Sequence, residues 1–105
     1  MMEEYRIKFS SKSINDIKKI TNYIRKSLKE PNIAEKYADL FINEIDKLKT
    51  FPKKHSIINE GKSKILNLRS LMVKNYMILY RVNESDKYVS IERVVFGASN
   101  WVQKI

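Results

Sequence analysis

Residues 76–82, Tyr76-Met77-Ile78-Leu79-Tyr80-Arg81-Val82, are almost continuously apolar, with a single charge at Arg81. A run of strand length with no polar face is what a central strand covered on both sides requires. Working outward, Asn83-Glu84-Ser85-Asp86-Lys87 has turn chemistry, and Tyr88 to Phe96 resumes with Val, Ile and Phe, so the two runs read as a hairpin. On the other side, Leu66 to Val73 reads as a third strand. Its apolar positions do not alternate strictly, which predicts a bulge or irregular stretch there.

Upstream the period changes. Tyr5, Ile7 and Phe9 alternate with Arg6 and Lys8, the signature of a strand with one buried face. Ile14, Ile17, Ile20, Ile24 and Leu28 then recur at three and four residues and form one helical stripe, with Ser13 and Asp16 spaced as a capping box. Pro31 ends this helix because its ring disfavours helical geometry in the residue before it. Asn32, with Glu35 at the third position, is placed to cap a second helix whose apolar face is Ala34, Tyr37, Ala38, Phe41, Ile45 and Leu48. The short link around Pro31 makes the pair an antiparallel hairpin. Residues 52–65 are polar and aperiodic, a loop long enough to hint at function. The order β-α-α-β-β-β predicts an α+β fold: an N-terminal strand, a helical hairpin, then a three-stranded antiparallel meander, with the hairpin on one face of the sheet and the other face open.

The length of 105 residues and a hydrophobic content of 43% fit one domain over 1–105 with a genuine core. Twenty-one Lys and Arg against twelve Asp and Glu leave a net charge of +9, a field that attracts nucleic acid, acidic protein or anionic membrane. No apolar run has membrane length, and Met1-Met2-Glu3-Glu4-Tyr5 lacks the apolar stretch of a signal peptide, so a cytoplasmic protein with no membrane partner is expected. The absence of cysteine removes disulfides, thiolate nucleophiles and cysteine-ligated zinc, and one histidine cannot build a metal cage. No metal and no cofactor are expected.

The cations are locally concentrated. Between Lys47 and Lys74 stand Lys47, Lys49, Lys53, Lys54, Lys62, Lys64, Arg69 and Lys74, with Glu60 the acid outside the helix. If the loop lies over the sheet's edge, Lys53, Lys54, Lys62, Lys64 and Arg69 converge with Arg81 and Arg93 into a target- or phosphate-binding patch. The plainer alternative is a solvated lysine-rich face. His55 is either a general acid or base near neutral pH or an ordinary loop residue. Glu60 is either a base toward a ribose hydroxyl, with nearby lysines stabilising a pentacoordinate phosphate, or a solvated acid beside Gly61. Of Arg69 and Arg81, one is expected in a structural ion pair. Tyr76 and Tyr80, four apart on one strand, share a face as core aromatics or as a stacking platform. Trp101 reads as packing over an exposed edge of the core.

Taken in order, the opening strand, the hairpin ending Leu48-Lys49-Thr50-Phe51-Pro52, the Leu68-Arg69 step, the strand Asn75 to Val82, and Arg93-Val94-Val95-Phe96-Gly97 followed by Asn100-Trp101 resemble the RelE/ParE superfamily of toxins from bacterial type II toxin-antitoxin modules. The resemblance implies a growth-inhibiting toxin, associated with plasmid stabilisation, that a cognate acidic antitoxin wraps and neutralises. RelE-like members cut mRNA in the ribosomal A site; ParE-like members inhibit DNA gyrase. In the nucleases a basic residue after the strand tyrosine and basic residues after the late glycine serve the scissile phosphate. Here Met77 follows Tyr76, Ala98-Ser99 follow Gly97, and no late tyrosine follows. The separation of Arg69 from Tyr80-Arg81 also resembles the ParE-like pattern. The sequence therefore leans toward gyrase inhibition. The alternatives are a metal-independent, ribosome-dependent endoribonuclease, for which Glu60, Arg69 and His55 are the candidate catalytic residues, and a degenerate toxin acting only as a basic binding module.

Overall fold

The computed structural model describes residues 4–55, 57, 58 and 67–97. Strand β1 (Arg6–Phe9) leads into helix α1 (Ser11–Asn22), which runs on through a π-helical turn at Tyr23–Ser27. Helix α2 (Pro31–Asp46) ends in a 3-10 turn at Lys47–Lys49, and β2 (Arg69–Val73), β3 (Tyr76–Asn83) and β4 (Tyr88–Phe96) follow among the described residues. The sheet order is β1-β4-β3-β2. The β2–β3 and β3–β4 pairs are antiparallel, and β1 returns parallel to β4. The predicted element order and α+β class hold, and the continuously apolar run is an interior strand with Ile78, Leu79 and Tyr80 fully buried.

The helix starts differ from the sequence reading. Ser10, not Ser13, caps α1: its Oγ accepts from the Ser13 N–H at 3.0 Å and donates to the Glu92 carbonyl at 2.7 Å, while the Ser13 hydroxyl donates to the Ser10 carbonyl at 2.7 Å. Asp16 is thereby freed from capping and reaches β4. Helix α2 begins at Pro31, with Glu30 rather than Asn32 at the cap, because proline's missing N–H and fixed φ suit the first helical position. Lys29, at φ 55°, reverses the chain between the helices. The Leu28 N–H bonds five residues back to Tyr23 at 3.2 Å, and this wide turn carries Leu28 off the predicted stripe into solvent.

The main core lies between the sheet and the helices. Phe41, Ile45 and Leu48 pack on Leu71, Val73, Ile78, Tyr80, Val89, Ile91 and Val94. Tyr76 closes its far end, edge-on to Tyr37 at 6.0 Å, Phe41 at 5.7 Å and Phe96 at 5.7 Å, so both strand tyrosines are core aromatics. The opposite face is covered in part: Leu68, Leu79 and Val95 cluster there with Ile58 and Met77. Leu79 pairs with Arg93 but Tyr80 with Ile91, leaving Glu92 as an extra residue on β4. The irregularity expected in 66–73 thus lies in β4, and β2 starts at Arg69, with Leu66 outside the described residues.

Candidate functional site

Arg69 and Tyr80 organise the corner where the chain leaves the helices. They pair across β2 and β3 and so share the helix-facing side of the sheet. The buried Tyr80 hydroxyl donates to the Pro52 carbonyl at 2.7 Å, and burial pushes its phenol up to about 12. The Arg69 guanidinium donates to the His55 carbonyl at 2.6 Å and the Lys53 carbonyl at 3.5 Å. Two strand side chains therefore staple residues 52–55 to the sheet. Lys53 pairs with Glu84, and with Arg69, Ile57, Asn67 and Val82 they line a cleft of about 260 Å³. Lys54 is exposed beside it.

His55 lies edge-on to Tyr80 at 6.4 Å, and its Nε2 is buried with no hydrogen-bond partner among the described residues. Burial, reinforced by Lys54 and opposed by Glu44, lowers the imidazole pKa below its ordinary value. The unfolded chain therefore takes up this proton more readily than the folded one, and stability falls as pH drops from the unfolded value of about 6.5 through the folded value. Urea unfolding at pH 7 and pH 5 is expected to show a larger loss for the wild type than for His55→Gln. Equal losses would mean that the ring titrates as if solvated.

The structure separates the predicted arginine patch. Arg69 faces the helices, whereas Arg81, one residue beyond Tyr80, is exposed on the opposite face. The ion pair expected for one of these two belongs instead to Arg93, whose Nε and Nη2 donate to Asp16 Oδ2 at 2.7 Å and Oδ1 at 3.0 Å; the Val94 N–H adds a third bond to Oδ2 at 3.0 Å. Glu60, Lys62, Lys64, Ala98, Ser99 and Trp101 lie outside the described residues. Among the described residues, no group of three or more histidines and carboxylates is placed to hold a metal, and no helix is long and apolar enough to cross a membrane.

Two surfaces remain that sequence reasoning did not single out. On the face away from the helices, the register aligns Arg6 with Tyr88 and Asn83, and Lys8 with Ser90 and Arg81. Lys8 Nζ stands 4.0 Å from the Tyr88 ring centroid, and Arg81, Asn83, Tyr88, Ser90 and Glu92 border a polar cleft of about 530 Å³. The alternation of Arg6 and Lys8 in β1 was the available signal, but the partners they acquire depend on the parallel return to β4.

The second surface is a groove of about 660 Å³ between β1 and α2, with Ile7, Phe9, Ile42 and Ile45 inside and Arg6, Asp46 and Lys49 at its rim. Phe9 is 36% and Ile42 50% exposed. The Arg6 N–H bonds to the Lys87 carbonyl just ahead of β4 at 3.0 Å and the Ser10 N–H to the Ile91 carbonyl in β4 at 2.9 Å, so the alternate residues Ile7 and Phe9 direct their N–H and C=O groups to the outer edge. The Tyr5 N–H is already held by the Lys49 carbonyl at 2.8 Å. Among the described residues, what remains is a short free strand edge above an apolar floor. Ile7, Phe9 and Ile45 were legible as apolar-face residues, but Ile42 lies off the predicted stripe and joins them only once β1 is placed beside α2.

Comparison with known proteins agrees with this architecture. Residues 7–101 match the family described as the ParE toxin of the type II toxin-antitoxin system, parDE. Among solved structures, a chain of the chromosomal ParDE toxin-antitoxin system from P. aeruginosa superposes with a TM-score of 0.72 at 17% identity, covering 89% of this chain and 96% of that one. The RelBE2 toxin-antitoxin complex from Mycobacterium tuberculosis gives 0.61 at 17% identity over 94% and 98% of the chains. The archaeal RelE-RelB complex from Pyrococcus horikoshii gives 0.51 at 16% identity over 90% and 97%. At these identities the structures speak to the fold. A protein described as a DNA ligase from Metamycoplasma arthritidis is 35% identical over 85 residues, which is 78% of this chain but spans only 12% of that protein's length. With the family match running from β1 past β4, the chain belongs to the ParE toxin family of type II toxin-antitoxin systems.

Proposed function

We propose that this toxin arrests growth in the cytoplasm by binding and inhibiting DNA gyrase, and that an acidic antitoxin segment neutralises it by docking on the β1 edge and the groove beneath. The observation that carries the binding reading over a nuclease one is the commitment of the strand arginines. Arg69 holds the carbonyls of Lys53 and His55, and Arg93 holds Asp16, so neither guanidinium faces a site where a scissile phosphate could sit beside His55. His55 itself is held toward its neutral form, unsuited to donating a proton. With no acid and base organised around a phosphate site among the described residues, the reading favoured is a toxin that works by occupying its target.

The supporting feature for the antitoxin seat is the pairing of outward backbone groups at Ile7 and Phe9 with exposed apolar side chains at Phe9 and Ile42. An extended peptide gains main-chain hydrogen bonds from such an edge and side-chain burial from the groove. The net charge of +9 favours an acidic peptide and speeds its encounter.

Purified toxin added to gyrase and relaxed plasmid is expected to abolish supercoiling, and prior addition of antitoxin to restore it. Full supercoiling with toxin well above the gyrase concentration would remove the gyrase reading. Cuts in translated mRNA mapped by primer extension would replace it with ribosome-dependent cleavage.

A further inference from the structure

The sheet carries its cations in two different states. Arg69 and Arg93 are engaged by carbonyls and by Asp16, whereas Arg6, Lys8 and Arg81 are exposed and pair with no carboxylate among the described residues. These three are not distant from one another. The β1–β4–β3 register places Arg6 beside Tyr88 and places Lys8 and Arg81 on either side of Ser90, all on the face away from the helices. Alternate residues of a strand lie about 6.6 Å apart and neighbouring strands about 4.8 Å, so the three backbone positions form a triangle with sides of roughly 7 to 12 Å. Tyr88 lies on β4 between Arg6 and Asn83, just outside the long Arg6–Arg81 side, and the Lys8 ammonium stands over its ring.

We propose that this face binds single-stranded nucleic acid, with backbone phosphates on Arg6, Lys8 and Arg81 and a base against the Tyr88 ring. The Tyr88 ring is half-buried, and a base stacking on it would take the face that the Lys8 ammonium covers at 4.0 Å from the centroid. A base that takes its place leaves the ammonium beside the ring, at the distance of a neighbouring phosphate. Ser90 lies between Lys8 and Arg81, and Asn83 borders the cleft beside Tyr88, with the Glu84 carboxylate, paired to Lys53, at its turn end. The Glu92 carboxylate, held by the Ser90 hydroxyl, bounds the site on the bulge side, so the strand runs along Arg6, Tyr88 and Arg81 rather than over the bulge.

An acidic peptide is the competing occupant, and the backbone argues against it. On a sheet face the main-chain groups are consumed in the ladder, so a peptide would gain only weak, exposed charge pairs there. A nucleic acid strand brings planar bases and regularly spaced charges, which an aromatic ring among cations suits. The edge at Ile7 and Phe9, where backbone groups are available, suits a peptide.

The test is fluorescence anisotropy of the whole chain with labelled oligothymidylate and oligouridylate of about 16 nucleotides, titrated across a range of salt. Wild type is expected to bind with a steep inverse salt dependence. Lys8→Ala/Arg81→Ala should weaken binding at least tenfold and reduce the log–log salt slope by roughly 1.4, the value for losing two phosphate contacts on a single strand. Tyr88→Leu should weaken binding several-fold and leave the slope unchanged. Lys18→Ala/Lys19→Ala, which removes the same charge from the exposed side of α1, is the control and should stay within about twofold of wild type. Equal losses in the two double variants would reduce the effect to net charge and overturn the site. So would an oligoglutamate peptide that displaces the oligonucleotide at lower concentration than unlabelled oligothymidylate does. Circular dichroism confirms folding, since all the substituted cations are exposed.

Discussion

Asp16→Ala is expected to lower the stability of the fold by about 3 kcal/mol, the scale for removing one partner of a poorly solvated ion pair. The Asp16 and Arg93 side chains are only 12% and 21% exposed, and the carboxylate also accepts the Val94 N–H. That N–H lies beyond the end of β1, where β4 has no strand neighbour on that side among the described residues, and the side chain of Asp16 on α1 takes the place of a ladder partner. Alanine withdraws the carboxylate from Arg93 and from the backbone at once, and an orphaned buried N–H alone costs about 1–3 kcal/mol. For a domain of this size, that corresponds to a fall of roughly 12 °C or more in melting temperature. Asp16→Asn, which keeps the shape and one acceptor, should lie between the two. A double-mutant cycle with Arg93→Met measures the coupling directly. If Asp16→Ala melts within a few degrees of wild type, α1 is held to the sheet by its apolar stripe and the network is incidental.

This same network marks the limit of what the sequence discloses. The interior position of β3 was legible because burial on both faces writes itself as an unbroken apolar run from Tyr76 to Leu79. The helices were legible through their period, and the hairpin through the charged turn at 83–87. Asp16 was misread because its spacing from Ser13 satisfies a local rule, while its true partner is 77 residues away. Nothing local distinguishes a capping acid from one that reaches across the fold. The sequence joins Arg69 and Arg81 in one patch on the supposition that the loop lies over the sheet's edge, yet Arg81 lies one residue past Arg69's cross-strand partner, and a shift of one residue reverses the face. Ile42 was invisible for a different reason. An apolar residue outside the helical stripe looks like noise until β1 is placed beside it, and that placement rests on the parallel β1–β4 pairing.

Ile42→Asp is expected to release the toxin from its antitoxin while leaving its action intact. In the free protein the residue is 50% exposed on α2, so aspartate costs only a helix-propensity penalty of about 0.5 kcal/mol. In a complex that buries the groove, the same carboxylate would be enclosed against Ile7, Phe9 and Ile45 without a cationic partner on the apolar floor. Desolvating it there should cost about 3 kcal/mol, a loss of roughly 100-fold or more in affinity. In a host expressing both genes, wild-type toxin should be tolerated and Ile42→Asp should arrest growth. Calorimetry with purified antitoxin should show the weakening, and gyrase inhibition by the variant should remain. Tyr23→Asp, an equally exposed apolar position at the far tip of the helical hairpin, serves as the control and should still be neutralised. If Ile42→Asp binds antitoxin as tightly as wild type, the strand edge and groove are not the seat. If it neither binds nor inhibits gyrase while remaining folded, antagonist and target share the surface, and neutralisation works by direct occlusion rather than from a separate face.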